Sequence, residues 1–268
     1  MTDPRRWAIP APEEVHVWWL DLRAPPGASD AILSPPERAR AARFHRQIDR
    51  TRWTRTRIAV RCILAGYLGL PPQDVEYASD PESEGMRTRI AKPTLASDPR
   101  LRFSLAHAAD RAALAVAWER EVGIDLEPID PDLDLRSLLT IACSSVEAAS
   151  VEAQPPPDRV ARFLELWTAK EAYLKAIGLG LFRDPRMLEI EFRPDRRAVV
   201  HDAHDPDAAS RCGVRFLDAG PGWAAALAVE GAPGGADLSV AGPVRCTALM
   251  SDMAAPSAPP DNTLVIGC

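Results

Sequence analysis

The residues best suited to chemistry fall in two short stretches, Val122-Gly123-Ile124-Asp125-Leu126-Glu127 and Trp167-Thr168-Ala169-Lys170-Glu171-Ala172-Tyr173-Leu174-Lys175. In the first, apolar and polar residues alternate, so a strand projects Asp125 and Glu127 from one face. Their Cα atoms lie roughly 6.5–7 Å apart, within joint reach of one hard cation such as Mg2+. The competing reading is a solvated sheet face, on which acids are common. Pro128 follows at once and puts the two carboxylates at a strand end.

In the second stretch Glu171 and Lys175 are spaced as neighbours on a helix, the pattern of an ordinary surface ion pair. Lys170 differs. At about 100° per residue it sits in the middle of an apolar arc of Phe163, Leu166, Trp167, Tyr173, Leu174 and Ile177, with Glu165, Ala169, Ala172 and Ala176 opposite. An unpaired ammonium there would be costly to desolvate, so Lys170 is expected to pair inside with a site carboxylate or a bound phosphate.

Lysine usage sharpens the point. Of 32 basic residues only Lys92, Lys170 and Lys175 are lysines. A chain that writes arginine for positive charge has kept the compact, strongly hydrated ammonium at these places, which makes all three candidates for phosphate contacts. His107, after the run Phe103-Ser-Leu-Ala, could donate to a phosphate oxygen or be a structural residue at a strand end. No serine has an evident neighbouring base, so the chain itself is not expected to supply a nucleophile.

The elements that must position these groups alternate between helix and strand. A strand at Val15–Leu20 and a turn at Ala24–Gly27 lead to Ser34-Pro-Pro-Glu37, which opens a helical region running to about Leu70. Ile58, Ile63, Leu64, Tyr67 and Leu68 recur there at helical spacing and should face a core. Leu101–Ala106, Ala112–Trp118 and Val122–Glu127 read as one small antiparallel sheet. A helix from Asp134 to about Ala153, a break at Pro155–Pro157, a strong helix from Asp158 to Ile177, and strands near 189–193, 214–217 and 223–229 follow. The second half thus repeats the helix-then-strands order of the first. From Gly231 onward Gly, Ala, Pro and Ser dominate, which reads as a flexible tail in which Leu238–Val240 and Leu264–Ile266 could still add a strand.

Composition bounds the partners. A 46% hydrophobic content supports an ordinary globular core, and five scattered cysteines without a C-x-x-C pair fit reduced thiols in a cytoplasmic protein. The amino terminus turns polar before a signal-peptide core could form, and no segment is apolar enough for a membrane span. A net charge of −6 argues against general nucleic-acid affinity. The stretch from Arg38 to Arg61 carries nine arginines against one acid, Asp49; a phosphate docking patch is one reading, but most of these read as a solvated helix face whose charges pair with acids elsewhere, with at most two or three touching a ligand.

Taken in order, Lys92-Pro93, Phe103-Ser-Leu-Ala-His107, Val122-Gly-Ile-Asp125-Leu-Glu127 and Phe163-Leu-Glu-Leu-Trp167-Thr-Ala-Lys170-Glu171-Ala-Tyr-Leu-Lys175 resemble the 4′-phosphopantetheinyl transferases, in their long, surfactin-synthetase type. The resemblance spans roughly 34–229. It implies an α+β fold of two similar halves related by a pseudo-two-fold, with the cofactor site between them: residues 1–118, bearing the 3′-phosphate side of coenzyme A, and 119–230, bearing the metal and the catalytic helix, ahead of a tail at 231–268. The activity implied is transfer of the phosphopantetheine arm of coenzyme A to a serine of an apo acyl or peptidyl carrier protein, with Mg2+ and release of adenosine 3′,5′-bisphosphate, by a monomer. It makes Asp125, Glu127 and Glu171 metal ligands, Glu171 also the base, and Asp125, Glu171 and Lys175 the catalytic set. Lys175, His107 and Lys170 would contact the cofactor phosphates, and Lys92 and Arg40 the 3′-phosphate. The family's F-N-I-S-H-S reads Phe103-Ser-Leu-Ala106-His107-Ala108, and the glycine before Lys-Pro is Ala91, so an altered grip on coenzyme A is expected. The rival readings are a Mg2+-dependent phosphoester or nucleotide hydrolase and a non-catalytic arginine-rich binding module.

Overall fold

The computed structural model describes residues 7–12, 14–23, 28–79, 92–179 and 183–231, together with the backbone of 244–247 and 263–264. The chain divides into two units, one of Met1–Phe103, Ala109–Glu119 and Gly242–Cys268, the other of Ser104–Ala108 and Arg120–Ala241. Both mix helix and sheet, an α+β architecture. The main change of unit falls between Glu119 and Arg120, and Ser104–Ala108 and Gly242–Cys268 cross it.

In the first unit strand β1 (Val15–Asp21) pairs antiparallel along its length with β5 (Arg111–Trp118). The sheet order is β12-β11-β1-β5-β4, where β4 is Leu101–Ala108, β11 is Val244–Thr247 and β12 is Thr263–Leu264. Val244 thus runs parallel to Val15, so part of the expected tail carries strand hydrogen bonds. Leu238–Val240 lies outside the described residues. The short pair β2 (Tyr77–Ser79) and β3 (Thr94–Leu95) stands apart.

The helical region expected as one piece is two helices, α1 (Pro35–Ala42) and α2 (Gln47–Leu68). Arg46 takes an extended conformation between them, and Phe44 packs on Trp53 at 5.9 Å, a tertiary contact that periodicity cannot reveal. Ser34 and Glu37 form a reciprocal capping box at the start of α1. The same Glu37, fully buried, accepts from Arg57 at 2.9 Å and Arg61 at 2.7 Å on α2. Helix α2 ends at Gly69, whose φ of 66° is the left-handed cap that glycine adopts without strain.

The second unit holds β6 (Val122–Pro128), α3 (Leu135–Ala142), α4 (Ser145–Glu152), α5 (Arg159–Ala176), β7 (Leu188–Arg193), β8 (Arg197–Asp202), α6 (Pro206–Arg211), β9 (Cys212–Phe216) and β10 (Trp223–Glu230). Its sheet order is β6-β10-β9-β8-β7, antiparallel throughout. The expected three-stranded sheet of 101–106, 112–118 and 122–127 is therefore not formed: β6 pairs with β10, a strand about a hundred residues away, rather than with β5. The helix expected over 134–153 breaks at Cys143, because Ser144 and Glu147 start α4 with a second capping box. Strand β8 and helix α6 escaped the sequence reading, since β8 faces the core only through Ala198, Val200 and Asp202. Among the described residues no helix is long and apolar enough to cross a membrane.

Candidate active site

Helix α5 lies against the sheet of the second unit on a bed of small residues. Gly123, Asp125 and Glu127 on β6 stand opposite Ala228, Ala226 and Ala224 on β10 and share their face. The helix presents Ala169, Ala172 and Ala176, all fully buried, as is that alanine row. The approach is closest at Gly123, where a Cβ would stand 1.9 Å from the Ala172 carbonyl oxygen and 2.5 Å from the Ala176 amide. Only glycine permits this contact. The helix face taken from the sequence as the one opposite the core is thus itself packed, and this packing brings Glu171 and Lys175 to the two acids of β6. Ser104 on β4 supports the strand from its other end of the sequence, accepting from the Ile124 amide at 3.2 Å.

Asp125 is 5% exposed and Glu127 half-buried, so the D-x-E is not a solvated face, and Glu171 opposite is 8% exposed. Lys175 donates to Asp125 Oδ1 at 2.7 Å and to the Ile124 carbonyl at 3.1 Å. Asp125 Oδ2 and Glu171 Oε1 are both buried without a hydrogen-bond partner among the described residues. Burial pushes the Glu171 carboxyl up to about 7; Lys175 works against that and the charge of Asp125 adds to it. Burial also pushes Glu127 up to about 7, with Asp125 as its first electrostatic cause and Glu171 a further one. The acids therefore sense one another's charge.

As they stand, no three His, Cys, Asp or Glu side chains among the described residues form a metal-holding group; the cation beside Asp125 is Lys175. The donor set nonetheless suits a hard cation. Two buried, orphaned carboxylate oxygens in a cluster of like charge are oxygen ligands whose cost a divalent ion would offset.

Lys170 requires a correction. It is 1% exposed, and its ammonium donates to Glu147 Oε2 at 2.5 Å, the Ala142 carbonyl at 2.9 Å and the Pro185 carbonyl at 2.9 Å. All three protons are taken inside the unit, so no donor is left for a cofactor phosphate. The expected internal anion exists, and it is Glu147. That residue also accepts from the Ser144 amide at 3.0 Å and, through Oε1, from the Ile190 amide at 3.0 Å. One carboxylate thus ties α4 and β7 to α5, as Glu37 ties α1 to α2. The sequence reading passed over Glu147, although Ser144-Ser-Val-Glu147 is a legible capping box. Farther along the helix, Tyr173 donates to Asp202 at 2.9 Å, and Asp202 also pairs with Arg183.

The remaining expected site residues are dispersed. His107 is exposed at the end of β4. Arg40 is half-buried on α1, its guanidinium 5.5 Å from the Phe44 ring and its Nε buried without a partner. Lys92 is half-buried ahead of β3 and engaged in an interaction of its own. Of the nine clustered arginines, Arg57 and Arg61 serve Glu37, Arg52 pairs with Asp110, Arg55 donates to the Leu22 and Arg23 carbonyls and Arg38 to Leu33. Only Arg57 and Arg61 are buried, and Arg38, Arg43, Arg46 and Arg50 are exposed, so much of the cluster is a solvated face.

Known proteins resemble this chain over the stretch that carries these residues. The sequence profile of the 4′-phosphopantetheinyl transferase superfamily matches residues 121–228, the stretch that contains β6, α5 and β10. The 4′-phosphopantetheinyl transferase HetI of Nostoc sp. is 35% identical over 224 residues, 79% of this chain and 90% of its own. A putative 4′-phosphopantetheinyl transferase of Synechocystis sp. is 29% identical over 72% of this chain and 78% of its own. The AcpT transferase of Salmonella typhimurium is 38% identical over 38% of this chain and 53% of its own. With Asp125, Glu127, Glu171 and Lys175 drawn together inside the matched region, this chain belongs to the 4′-phosphopantetheinyl transferase superfamily.

Proposed function

We propose that this protein transfers the 4′-phosphopantetheine group of coenzyme A to a serine hydroxyl of an apo acyl or peptidyl carrier domain, with Mg2+, releasing adenosine 3′,5′-bisphosphate. The observation that carries this reading is the buried pair of orphaned oxygens, Asp125 Oδ2 and Glu171 Oε1, beside Lys175 in a chain of this family. Asp125, Glu127 and Glu171 would hold Mg2+, which when bound to a diphosphate neutralises charge on the leaving group.

In the transfer, the carrier's serine oxygen forms a new bond to the phosphorus that carries the pantetheine arm. The bond from that phosphorus to the bridging oxygen breaks, and its electrons leave with the bisphosphate. Glu171, with a proton affinity raised to about 7, accepts the serine proton and can release it again near neutral pH. Lys175 spends two of its protons on Asp125 and the Ile124 carbonyl. Its third can meet a diphosphate oxygen. His107 is assigned to the same diphosphate, and Arg40 and Lys92 of the first unit to the 3′-phosphate. The protein acts as a monomer in the cytoplasm, and no covalent enzyme intermediate is needed, since the nucleophile arrives on the partner.

Incubation with coenzyme A and an apo carrier, followed by intact mass spectrometry, tests this. The carrier is expected to gain the phosphopantetheine mass only when Mg2+ is present, with bisphosphate appearing in equal amount. Coenzyme A cleaved without a gain in carrier mass would replace the transferase with a hydrolase.

A further inference from the structure

We propose that Arg197 and Arg215 form a binding site for a single oxyanion, a phosphate or a carboxylate, on the face of the second unit's sheet that points away from helix α5. The two residues are direct partners across β8 and β9, with Ala198 and Val214 paired beside them. Ala198 and Val214 belong to the core that packs around α5, so the arginines project from the opposite face. Asp125 projects toward α5, which makes this a different place from the candidate active site.

The Phe216 amide donates to the Arg196 carbonyl at 2.7 Å, which makes Arg197 and Arg215 a non-hydrogen-bonded pair, the kind whose side chains stand closer. Like charges placed directly opposite across strands destabilise a sheet. Here the usual remedy is slight: Asp195 reaches Arg197 only at 3.4 Å and is itself 74% exposed. The Nε atoms of both arginines are buried with no hydrogen-bond partner. Nε together with one terminal nitrogen is the edge by which a guanidinium grips carboxylate or phosphate; on Arg197 that terminal nitrogen meets Asp195 at 3.4 Å, and neither Nε has a partner. Burial, and then the charge of Arg197, lower the proton affinity of Arg215, a cost that a bound anion would remove.

The neighbouring backbone is also constrained. Asp195 and Arg196 in the β7–β8 turn take consecutive positive φ values of 61° and 58°, uncommon for residues with a Cβ. Arg196 is held there by its own side chain, which donates to the carbonyls of Phe216 at 3.3 Å and Leu217 at 2.8 Å. That tether fixes the turn ahead of Arg197 and, with it, the arginine pair.

The test is NMR of arginine Nε–Hε resonances in the full chain, titrated with inorganic phosphate or with acetate at constant ionic strength. Saturable shifts confined to Arg197 and Arg215 are expected, and the anion that saturates at lower concentration names the ligand class. Arg215→Gln should abolish the shift at Arg197 while leaving the thermal midpoint unchanged or higher, because a like charge is removed. If Arg215→Gln fails to fold, Arg197→Gln with the Arg215 resonance as reporter gives the same readout. No saturable shift with either anion, or an Arg197 shift that survives Arg215→Gln, overturns the proposal. None of these readouts depends on transferase activity.

Discussion

Lys175 holds one oxygen of Asp125 at 2.7 Å, while the other oxygen of the same carboxylate is buried without a partner. A buried oxygen left without a partner is a cost to the fold, and this separates its contribution to activity from its contribution to stability. Asp125→Asn and Glu171→Gln should each slow carrier modification by at least ~100-fold, as expected for removal of a base or charge-stabilising group. Glu171→Gln should leave the folded chain as stable as before or up to about 1 kcal/mol more stable, since a neutral amide costs less to bury than a carboxylate. Transfer rates and urea unfolding, measured on the same samples, check both halves. A Glu171→Gln chain that is inactive because it unfolds would contradict the assignment.

Gly123→Ala should break the packing from the strand side. The added carbon meets helix backbone at 1.9 Å, and backbone cannot rotate away as a flexible side chain can. Helix α5 must move, at a cost of roughly 1–3 kcal/mol typical of overpacking. Activity should fall further than stability, because the same shift pulls Glu171 and Lys175 from Asp125. Denaturant midpoint and transfer rate check it, and wild-type rate in the variant would show that the approach is unimportant.

Lys170→Met should be among the most damaging substitutions, although the residue makes no cofactor contact. It strands Glu147, 5% exposed, as an unpaired buried charge, for which about 3–5 kcal/mol is typical. Lys170→Arg should not rescue it, since a planar fork cannot direct three donors to Glu147, Ala142 and Pro185 as an ammonium does. Adding Glu147→Gln to Lys170→Met should recover part of the loss. Unfolding midpoints of the series decide this, and a mild phenotype for Lys170→Met would restore the phosphate-contact reading.

Stability should fall as pH rises from 4.5 through about 7. Glu127 and Glu171 have folded-state affinities raised from 4.5 to about 7, so in this window the folded chain binds more protons than the unfolded one. The stabilisation is complete below the unfolded value and lost once the folded value is passed. At about 1.4 kcal/mol per pH unit, buried Glu171 contributes on the order of 3 kcal/mol, and the partly exposed Glu127 adds less. Glu171→Gln should flatten the slope of unfolding free energy against pH. Mg2+ should raise the melting temperature more at pH 8 than at pH 5, because protons and metal compete for the same oxygens. An equal effect at both values would argue against these acids as its ligands.

The chemistry-bearing residues were legible because their spacing is local: alternation put Asp125 and Glu127 on one face, and a four-residue interval put Glu171 beside Lys175. The apolar arc of α5 and the burial of Lys170 were equally plain, and so was its need for an internal anion. What that anion would be was beyond local pattern. Glu147 and a cofactor phosphate are indistinguishable until α4 is placed against α5, and the structure chose the carboxylate.

Strand pairing was the other decision left to the tertiary structure. Local patterning identified Val122–Glu127 as a strand, but its partner is chosen by the burial of complementary faces at any sequence distance. The fold chose β10, whose alanine row matches Gly123 in size. Spacing along the chain thus selected which side chains could do chemistry. The close approach of a glycine-bearing strand to an alanine-faced helix decided that they stand together, because it brings Glu171 and Lys175, remote in sequence from Asp125, within the range at which charges act on one another.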